Sequence, residues 1–255
     1  MPRLVSWNVN GMRAALRKAY AEHLETLSPD VVMLQEIRAF PEQLPKGWAE
    51  PEGWHVTWHP AERPGYSGVA TWTRDPHEVI GTGMDGPDPQ GRVLHTRVGD
   101  LDLVNIYLPS GSSSEEAQER KDAFMERLMA WSEAFLSHDH PVILAGDLNI
   151  AHTEQDIHNA RGNAKNSGFL PHERAWFTAW LEQGWTDLFR AHVGPAQGPY
   201  SWWSNRGRAR ELDRGWRIDY LLGNAAAAKR LKSASIHRPG GLDTSDHAPV
   251  IVDLD

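Results

Sequence analysis

The sequence predicts an α/β protein built as one domain over residues 1–255, and three observations carry that reading. Short apolar runs alternate with amphipathic stretches along the chain, no repeat or linker divides it, and run after run ends in a carboxylate, an amide or an aromatic hydroxyl. With 255 residues, 40% of them hydrophobic, there is enough material for a sizeable core. Leu4 to Trp7 reads as a first buried strand, Met12 to Leu27 as a helix, and Val31 to Leu34 as a second strand. Further strands are expected at Val69 to Thr73 and Leu101 to Tyr107, with the Pro/Gly-rich stretch from Gly81 to Gly91 as a surface loop between them. A helix should run from about Glu115 to Leu136, because Ala117, Phe124, Leu128, Trp131 and Phe135 recur on one face, with Ser113 and Glu116 as a capping box. A third helix follows Pro171, with Phe177, Trp180 and Leu181 as its stripe, and strands are expected at Val142 to Ala145, Ile218 to Leu222 and Val250 to Leu254.

Charge narrows the function. The net charge of −8 repels polyanions at long range, which argues against a DNA-coating protein but leaves room for an enzyme with a local positive site. The absence of cysteine excludes disulfides, thiolate zinc sites, cysteine nucleophiles and thiol-based regulation, so any metal must be held by oxygen or imidazole. No apolar stretch approaches the roughly 18 residues of a membrane span, and the chain opens straight into a strand. The expectation is a cytoplasmic protein with no membrane partner. Arginine outnumbers lysine, which tilts towards bidentate recognition of oxyanions, although a GC-rich genome gives the same bias.

The polar residues that end the strands are the candidate site. Trp7-Asn8-Val9-Asn10, Gln35-Glu36, Asn105-Ile106-Tyr107, Asp147-Leu148-Asn149, Asp219-Tyr220 and Ser245-Asp246-His247 all have this form, and such termini can converge at one end of a sheet. Asp147 and Asn149 are two residues apart and share a side if the strand continues. Oxygen donors without sulfur suit a hard cation such as Mg²⁺ or Mn²⁺, and the reactions such a set serves are hydrolysis and phosphoryl transfer.

Eight segments then match one known pattern in order: VSWNVNGMRAA (5–15), LQEIR (34–38), GYSGVA (65–70), NIYLP (105–109), GDLNIAH (146–152), SWWSNR (201–206), GWRIDY (215–220) and SDHAP (245–249). Together they resemble the exonuclease III family of apurinic/apyrimidinic endonucleases, and NAKNSGF (163–169) resembles a DNA-contacting stretch of that family. The resemblance implies the DNase I-like endonuclease/exonuclease/phosphatase fold, a four-layer sandwich of two packed, mainly antiparallel sheets flanked by helices. It also implies a Mg²⁺-dependent phosphodiesterase, with Mn²⁺ as the alternative ion, cutting double-stranded DNA 5′ to abasic sites and trimming blocked 3′ ends. By the same resemblance Glu36 is the principal metal ligand beside Asn8 and Asn10, with Asp147, Asn149, Asp246 and His247 in the metal region. Asp147 would deprotonate the attacking water, Asn149 would donate to the scissile phosphate, His247 held by Asp219 would contact a non-bridging oxygen, and Tyr107 would lie against the phosphate or the leaving oxygen.

Substrate contacts expected from the resemblance are Tyr66, Asn163, Lys165, Asn166, Trp202, Arg206 and Trp216, the two tryptophans forming the pocket for a base-free sugar. Trp7 and Trp203 read instead as core. Five arginines between Arg206 and Arg217, against Glu211 and Asp213, form a stretch able to take phosphates. Two departures from the family pattern, Ser110 after the Tyr-x-Pro segment and Arg38 in place of a common lysine, leave the balance of endonuclease, exonuclease and 3′-phosphatase activities open. The competing readings are a phosphoesterase of the same fold acting on RNA or a small phosphoester, and a catalytically inactive scaffold. A monomer associated with the nucleoid is expected, and a bacterial or archaeal source, because the chain opens at the first strand without the extended tail that some eukaryotic members of the family carry.

Overall fold

Along β1 (Arg3–Asn8) side chains alternate between two apolar environments: Leu4 enters one buried cluster, Val5 and Trp7 another. A strand buried on both faces needs a layer on each side, and that requirement sets the architecture. The computed structural model describes residues 2–255. Beyond β1 its strands are β2 (Val31–Gln35), β3 (His55–His59), β4 (Val69–Thr73), β5 (Glu78–Thr82), β6 (Val93–Val98), β7 (Leu101–Tyr107), β8 (Val142–Asp147), β9 (Thr186–Asp187), β10 (Asp219–Gly223), β11 (Leu231–Ile236) and β12 (Val250–Leu254). The helices are α1 (Met12–Ala15), α2 (Tyr20–Leu27), α3 (Glu115–Ser132), α4 (Ala160–Asn163), α5 (Pro171–Glu182), α6 (Leu188–Val193), α7 (Ala225–Lys229) and α8 (Arg238–Asp243).

The strands form two six-stranded sheets, ordered β11-β12-β1-β2-β4-β3 and β5-β6-β7-β8-β10-β9. Pairing is antiparallel except between β1 and β2 and between β7 and β8. Leu4, Met33, Leu103, Ile143, Leu221 and Val252 fill the space between the sheets. Outside the second sheet Val104, Ile106, Leu144 and Leu222 meet Leu128 of α3 and Phe177 and Trp180 of α5. Outside the first, Val5, Trp7, Val32 and Trp72 meet Tyr20 of α2, whose ring stacks on Trp7 at 5.2 Å. The result is the expected four-layer sandwich.

Polar side chains also cross the space between the sheets. Gln35 Nε2 of the first sheet donates to Asn105 Oδ1 of the second at 2.8 Å, and Asn105 Nδ2 donates back to the carbonyl oxygens of Leu34 and Ala70. Buried amide donors paired in this way favour one relative position of the sheets, because sliding either would strand those donors away from water.

Local expectations are corrected in four places. The helix expected over Met12 to Leu27 is two pieces, since residues 16–19 form a turn in which Lys18 Nζ reaches the carbonyl of Thr244 at 2.9 Å. Tertiary contacts override good helix formers there. The cap of α3 is Ser114, whose Oγ accepts from Ala117 N at 3.2 Å, not Ser113, and the helix tightens into a 3₁₀ turn at Glu133–Ser137. Gly81 and Thr82, expected in a loop, close β5. Strands β3, β5, β6, β9 and β11 were not foreseen.

Candidate active site

The strand ends meet at one edge of the seam between the sheets. Asn8 ends β1, Glu36 follows β2, Tyr107 ends β7, Asp147 ends β8 and Asp219 begins antiparallel β10, while Asp246 and His247 precede β12. Immediately past their strands the chain curls sharply: Asn10, Glu36 and Asn149 all have φ near +50°. Left-handed backbone in non-glycine residues costs of order 1 kcal/mol each and is tolerated where it aims a side chain.

Asn8 is fully buried, and its Nδ2 donates to Glu36 Oε1 and to Asp147 Oδ2, both at 2.9 Å. One amide thus holds two carboxylates from different sheets side by side. Asn8 Oδ1 accepts from the Asn10 backbone N–H, and Asn10 Nδ2 donates to Asp246 Oδ1 at 2.8 Å. Arg38 donates to the other oxygen of Glu36. Asp147 Oδ1 accepts from the Asn149 backbone N–H at 2.9 Å, and Asn149 Nδ2 donates to the Leu108 carbonyl at 2.8 Å.

His247 forms the second half of the site. Its Nδ1 lies 2.9 Å from Asp219 Oδ2, and its Nε2 points towards Asp147 Oδ2 at 3.8 Å. Ser201 Oγ donates to Asp219 Oδ2 at 2.6 Å, while accepting from the backbone N–H groups of Ile218 and Asp219. Asp219 therefore cannot rotate away from the imidazole.

Burial, with the Asp219 and Glu36 carboxylates close by, pushes the Asp147 pKa up against the pull of His247. For His247 burial acts downward, but the carboxylates of Asp219 and Asp147 outweigh it and raise the pKa, so the ring is cationic at neutral pH. Burial and the same pair of acids, Glu36 and Asp147, lift Tyr107 well above its ordinary value, which keeps its hydroxyl protonated and able to donate. Asp246 is held low: burial opposes ionisation, yet His247 and hydrogen bonds from Asn10 and Trp202 prevail. Ligand atoms of Glu36, Asp147 and His247 lie within 4.8 Å of one another. Carboxylate oxygens of Glu36 and Asp147 fit a hard divalent ion, while Asn8 turns its Nδ2 to both and Asn10 turns its Nδ2 to Asp246, which holds these carboxylates in place.

Above these residues opens a cleft of about 870 Å³. Trp202, Trp216 and Ile218 give it an apolar wall, the two indoles meeting edge to face at 5.8 Å, and Trp202 Nε1 donates to Asp246 Oδ2 at 3.2 Å. Lys165, Asn166 and Arg206 lie exposed on its rim. Lys121, buried on α3, bonds both Glu173 and the Asn149 carbonyl, and Glu173 accepts from Gly168 N and Leu170 N, which clamps the loop carrying Lys165 and Asn166 against Asn149.

Some expected contacts lie elsewhere. Asn163 does not line the cleft: its Nδ2 donates to the carbonyls of His158 and Asn159, and its Oδ1 braces Asn166. Tyr66 lines a neighbouring cavity of about 460 Å³, reached from the cleft past Tyr107. The basic stretch is smaller than its count. Arg217 is fully buried against Asp156 and Asp187, Arg208 is paired with Glu211, and Arg210 donates to Asn205. Trp7 and Trp203 are core, as expected. Sequence reasoning missed Ser201, Lys121 and Arg92; the last is buried, stacks over Tyr107 at 4.7 Å and donates to Tyr66 Oη and the Tyr107 carbonyl. The partners that tie them to the site are 15 or more residues away in sequence, and no local pattern marks them. No helix among the described residues is long and apolar enough to cross a membrane.

Residues 5–247 match the model of the Endonuclease/Exonuclease/phosphatase family. An exodeoxyribonuclease of Bacillus subtilis is 40% identical over 97% of each chain. A DNA-(apurinic or apyrimidinic site) endonuclease of Dictyostelium discoideum is 34% identical over 99% of this chain and 71% of its own. Among solved structures, the 3′ phosphatase NExo from Neisseria bound to product DNA hairpin superposes with a TM-score of 0.90 at 26% identity, covering 100% of both chains.

Proposed function

Since the chain belongs to the Endonuclease/Exonuclease/phosphatase family, in its exonuclease III branch, and is a hydrolytic nuclease, we propose that it is a DNA repair enzyme that cuts the backbone 5′ to abasic sites and clears blocked 3′ ends. The names of its relatives, an exodeoxyribonuclease, an abasic-site endonuclease and a 3′ phosphatase bound to DNA, support that range. The observation that carries the reading is the pairing of Asp147 and cationic His247 across a 3.8 Å gap, beside an indole-walled cleft.

Hydrolysis of a phosphodiester needs an oriented water, charge neutralised on the phosphoryl oxygens and a donor near the leaving oxygen. Asp147, with its raised pKa, orients the water and takes its proton near neutral pH. His247 presents Nε2–H to a non-bridging oxygen, its ring held by Asp219 and Ser201. Asn149 keeps one N–H on Leu108 and exchanges its long contact with Asp147, 3.4 Å, for the phosphate. Tyr107 donates to the phosphate or the leaving 3′-oxygen. Glu36, with Asn8 and Asn10 beside it and Asp246 adjoining, would hold Mg²⁺ or Mn²⁺, which would supply positive charge at the phosphoryl group.

The indoles of Trp202 and Trp216 suit an extruded deoxyribose without a base, since no pairing is lost when it leaves the helix. Lys165, Asn166 and Arg206 take flanking phosphates, Tyr66 lies further along the same track, and Asn163 acts by bracing Asn166. One chain lines the whole cleft, so a monomer suffices, working beside chromosomal DNA in the cytoplasm.

The test is incubation with Mg²⁺ and end-labelled duplexes carrying an abasic-site analogue, a 3′-phosphate or a recessed 3′ end, beside single-stranded RNA and a small phosphodiester. Cleavage of the abasic duplex leaving a 3′-hydroxyl is expected, and Asp147→Asn should abolish nearly all of it in a folded protein. Hydrolysis of RNA or the small ester with the DNA left intact, or native-rate cutting by Asp147→Asn, would overturn the assignment.

A further inference from the structure

A second group of metal-competent side chains lies far from the cleft. Asp102 sits five residues before Tyr107 on β7, about 16 Å back along the strand from the active-site end. Its carboxylate is fully buried, and three imidazoles gather around it. His95 of β6 places Nε2 at 3.2 Å from Asp102 Oδ2, and His140, just before β8, places its Nε2 at 3.2 Å from the same oxygen. The His138 ring lies 4.7 Å from that of His140. Ligand atoms of Asp102, His138 and His140 all fall within 4.8 Å of one another.

Two of these imidazoles are incompletely used. His95 Nε2 and His138 Nδ1 are buried with no hydrogen-bond partner, although the His95 side chain is only 8% exposed. In the tautomer that carries its proton on the other ring nitrogen, each of these nitrogens presents a lone pair that no hydrogen bond uses and that a metal ion can take. Phe135 packs against both His95 and His138 and gives the cluster an apolar backing.

We propose that Asp102, His138 and His140, with His95 as a fourth donor, form a second metal site, specific for a zinc-like transition-metal ion. Imidazole with one carboxylate matches Zn²⁺, whereas Mg²⁺ prefers an all-oxygen set. Donors on a tetrahedral zinc stand about 3.4 Å apart, so Asp102, His138 and His140 have to close by about 1.4 Å at most, while His95 is near Asp102 but outside that group of three and joins only as they draw together. The segment 138–140 is partly exposed at its surface and joins a 3₁₀ turn to β8, so it is the part that can move. Arg97 now neutralises Asp102, with Nη2 on Oδ2 at 2.8 Å and Nε on Oδ1. Its side chain is 37% exposed, so the Oδ2 contact can yield to the ion while the Oδ1 contact remains. The bound ion ties the segment ahead of β8 to β6 and β7 and braces the second sheet from behind.

The test is calorimetric titration of metal-stripped protein with Zn²⁺, with excess Mg²⁺ present to hold the catalytic site, followed by thermal melting. One Zn²⁺ per chain and a raised Tm are expected, and both should persist in Glu36→Gln. Both should be lost, with binding weakened at least about tenfold, in His138→Asn/His140→Asn, which should fold normally and cut DNA at the parent rate. Absorption of the Co²⁺-loaded protein gives a second readout, with a tetrahedral visible band that the double variant lacks. A double variant that binds Zn²⁺ as tightly as the parent, or a parent whose only Zn²⁺ disappears with Glu36→Gln, would overturn the proposal.

Discussion

Asp219→Asn removes the charge 2.9 Å from His247 Nδ1 while keeping a side chain of the same shape and an acceptor for Ser201. Burial acts to lower the His247 pKa, and the carboxylates, Asp219 foremost, more than offset it, lifting the ring from its ordinary 6.5 to about 10. That rise favours the imidazolium by roughly 5 kcal/mol, at about 1.4 kcal/mol per pH unit. With Asp147 and Asp246 supplying the rest, we assign about half to Asp219, or roughly 2–3 kcal/mol. A His247 that must be cationic to donate Nε2–H works below its pKa and fails above it. The variant should therefore lose its activity at an alkaline limb about two pH units lower, with a rate roughly 10-fold slower at about pH 9. The acid limb should also move down, because the Asp219 charge is one of the two that raise Asp147. The assay is single-turnover cleavage of an end-labelled abasic duplex from about pH 6 to about pH 10, with circular dichroism confirming the fold. An alkaline limb that stays in place, with a rate loss uniform across the range, would refute the imidazolium.

Three further substitutions probe the surroundings. Trp216→Ala leaves the backbone pairing of Trp216 with Trp202 intact and should lower kcat/KM on the abasic duplex by about 10- to 100-fold; an unchanged value in a folded protein removes it from the pocket. Arg217→Met removes the ion pair of Asp187 and leaves Asp156 with Arg190 alone, and should cost about 3 kcal/mol at pH 7 in urea unfolding. Although burial opposes it, Arg217 and Arg190 depress the Asp156 pKa. Its contribution is therefore present above the unfolded carboxylate range near pH 4 and fades as pH falls towards the lower folded value, so the difference between the proteins should shrink below about pH 4. A difference constant from about pH 3 to about pH 7 would contradict this. Gly146→Ala would put a Cβ 1.8 Å from the Ile106 carbonyl oxygen, so β7 and β8 must part; a Tm within a degree or so of the parent would show that the strands yield more easily than this geometry allows.

What the sequence made legible has a common physical form. Asn8, Glu36, Asp147, Asp219 and His247 each adjoin a strand buried on both faces, and such strands read as apolar runs whose polar ends stand out. Edge strands do not read this way: β3, His-Val-Thr-Trp-His, and β11 are half-exposed and alternate weakly. The basic stretch misled because charge is visible in a sequence while the partner is not; Arg217 meets Asp156 and Asp187 from 61 and 30 residues away. The break at residues 16–19 has the same origin, since Lys18 is drawn to Thr244 across the fold. Asn163 lies in a segment with the right motif but spends its amide locally.

The Asn8 amide and the Gln35–Asn105 bond join opposite sheets at the place where cleavage would occur. A nuclease arranged in this way is armed only when its two halves are docked. A chain emerging from the ribosome presents Glu36 and Asp147 long before His247, which arrives just ahead of β12, and β12 must pair between β11 and β1 to seat it. The complete site thus exists only once assembly is finished, and any separation of the sheets breaks the Asn8 bridge between Glu36 and Asp147. Protection against cutting by a half-made chain is written into the order of the strands.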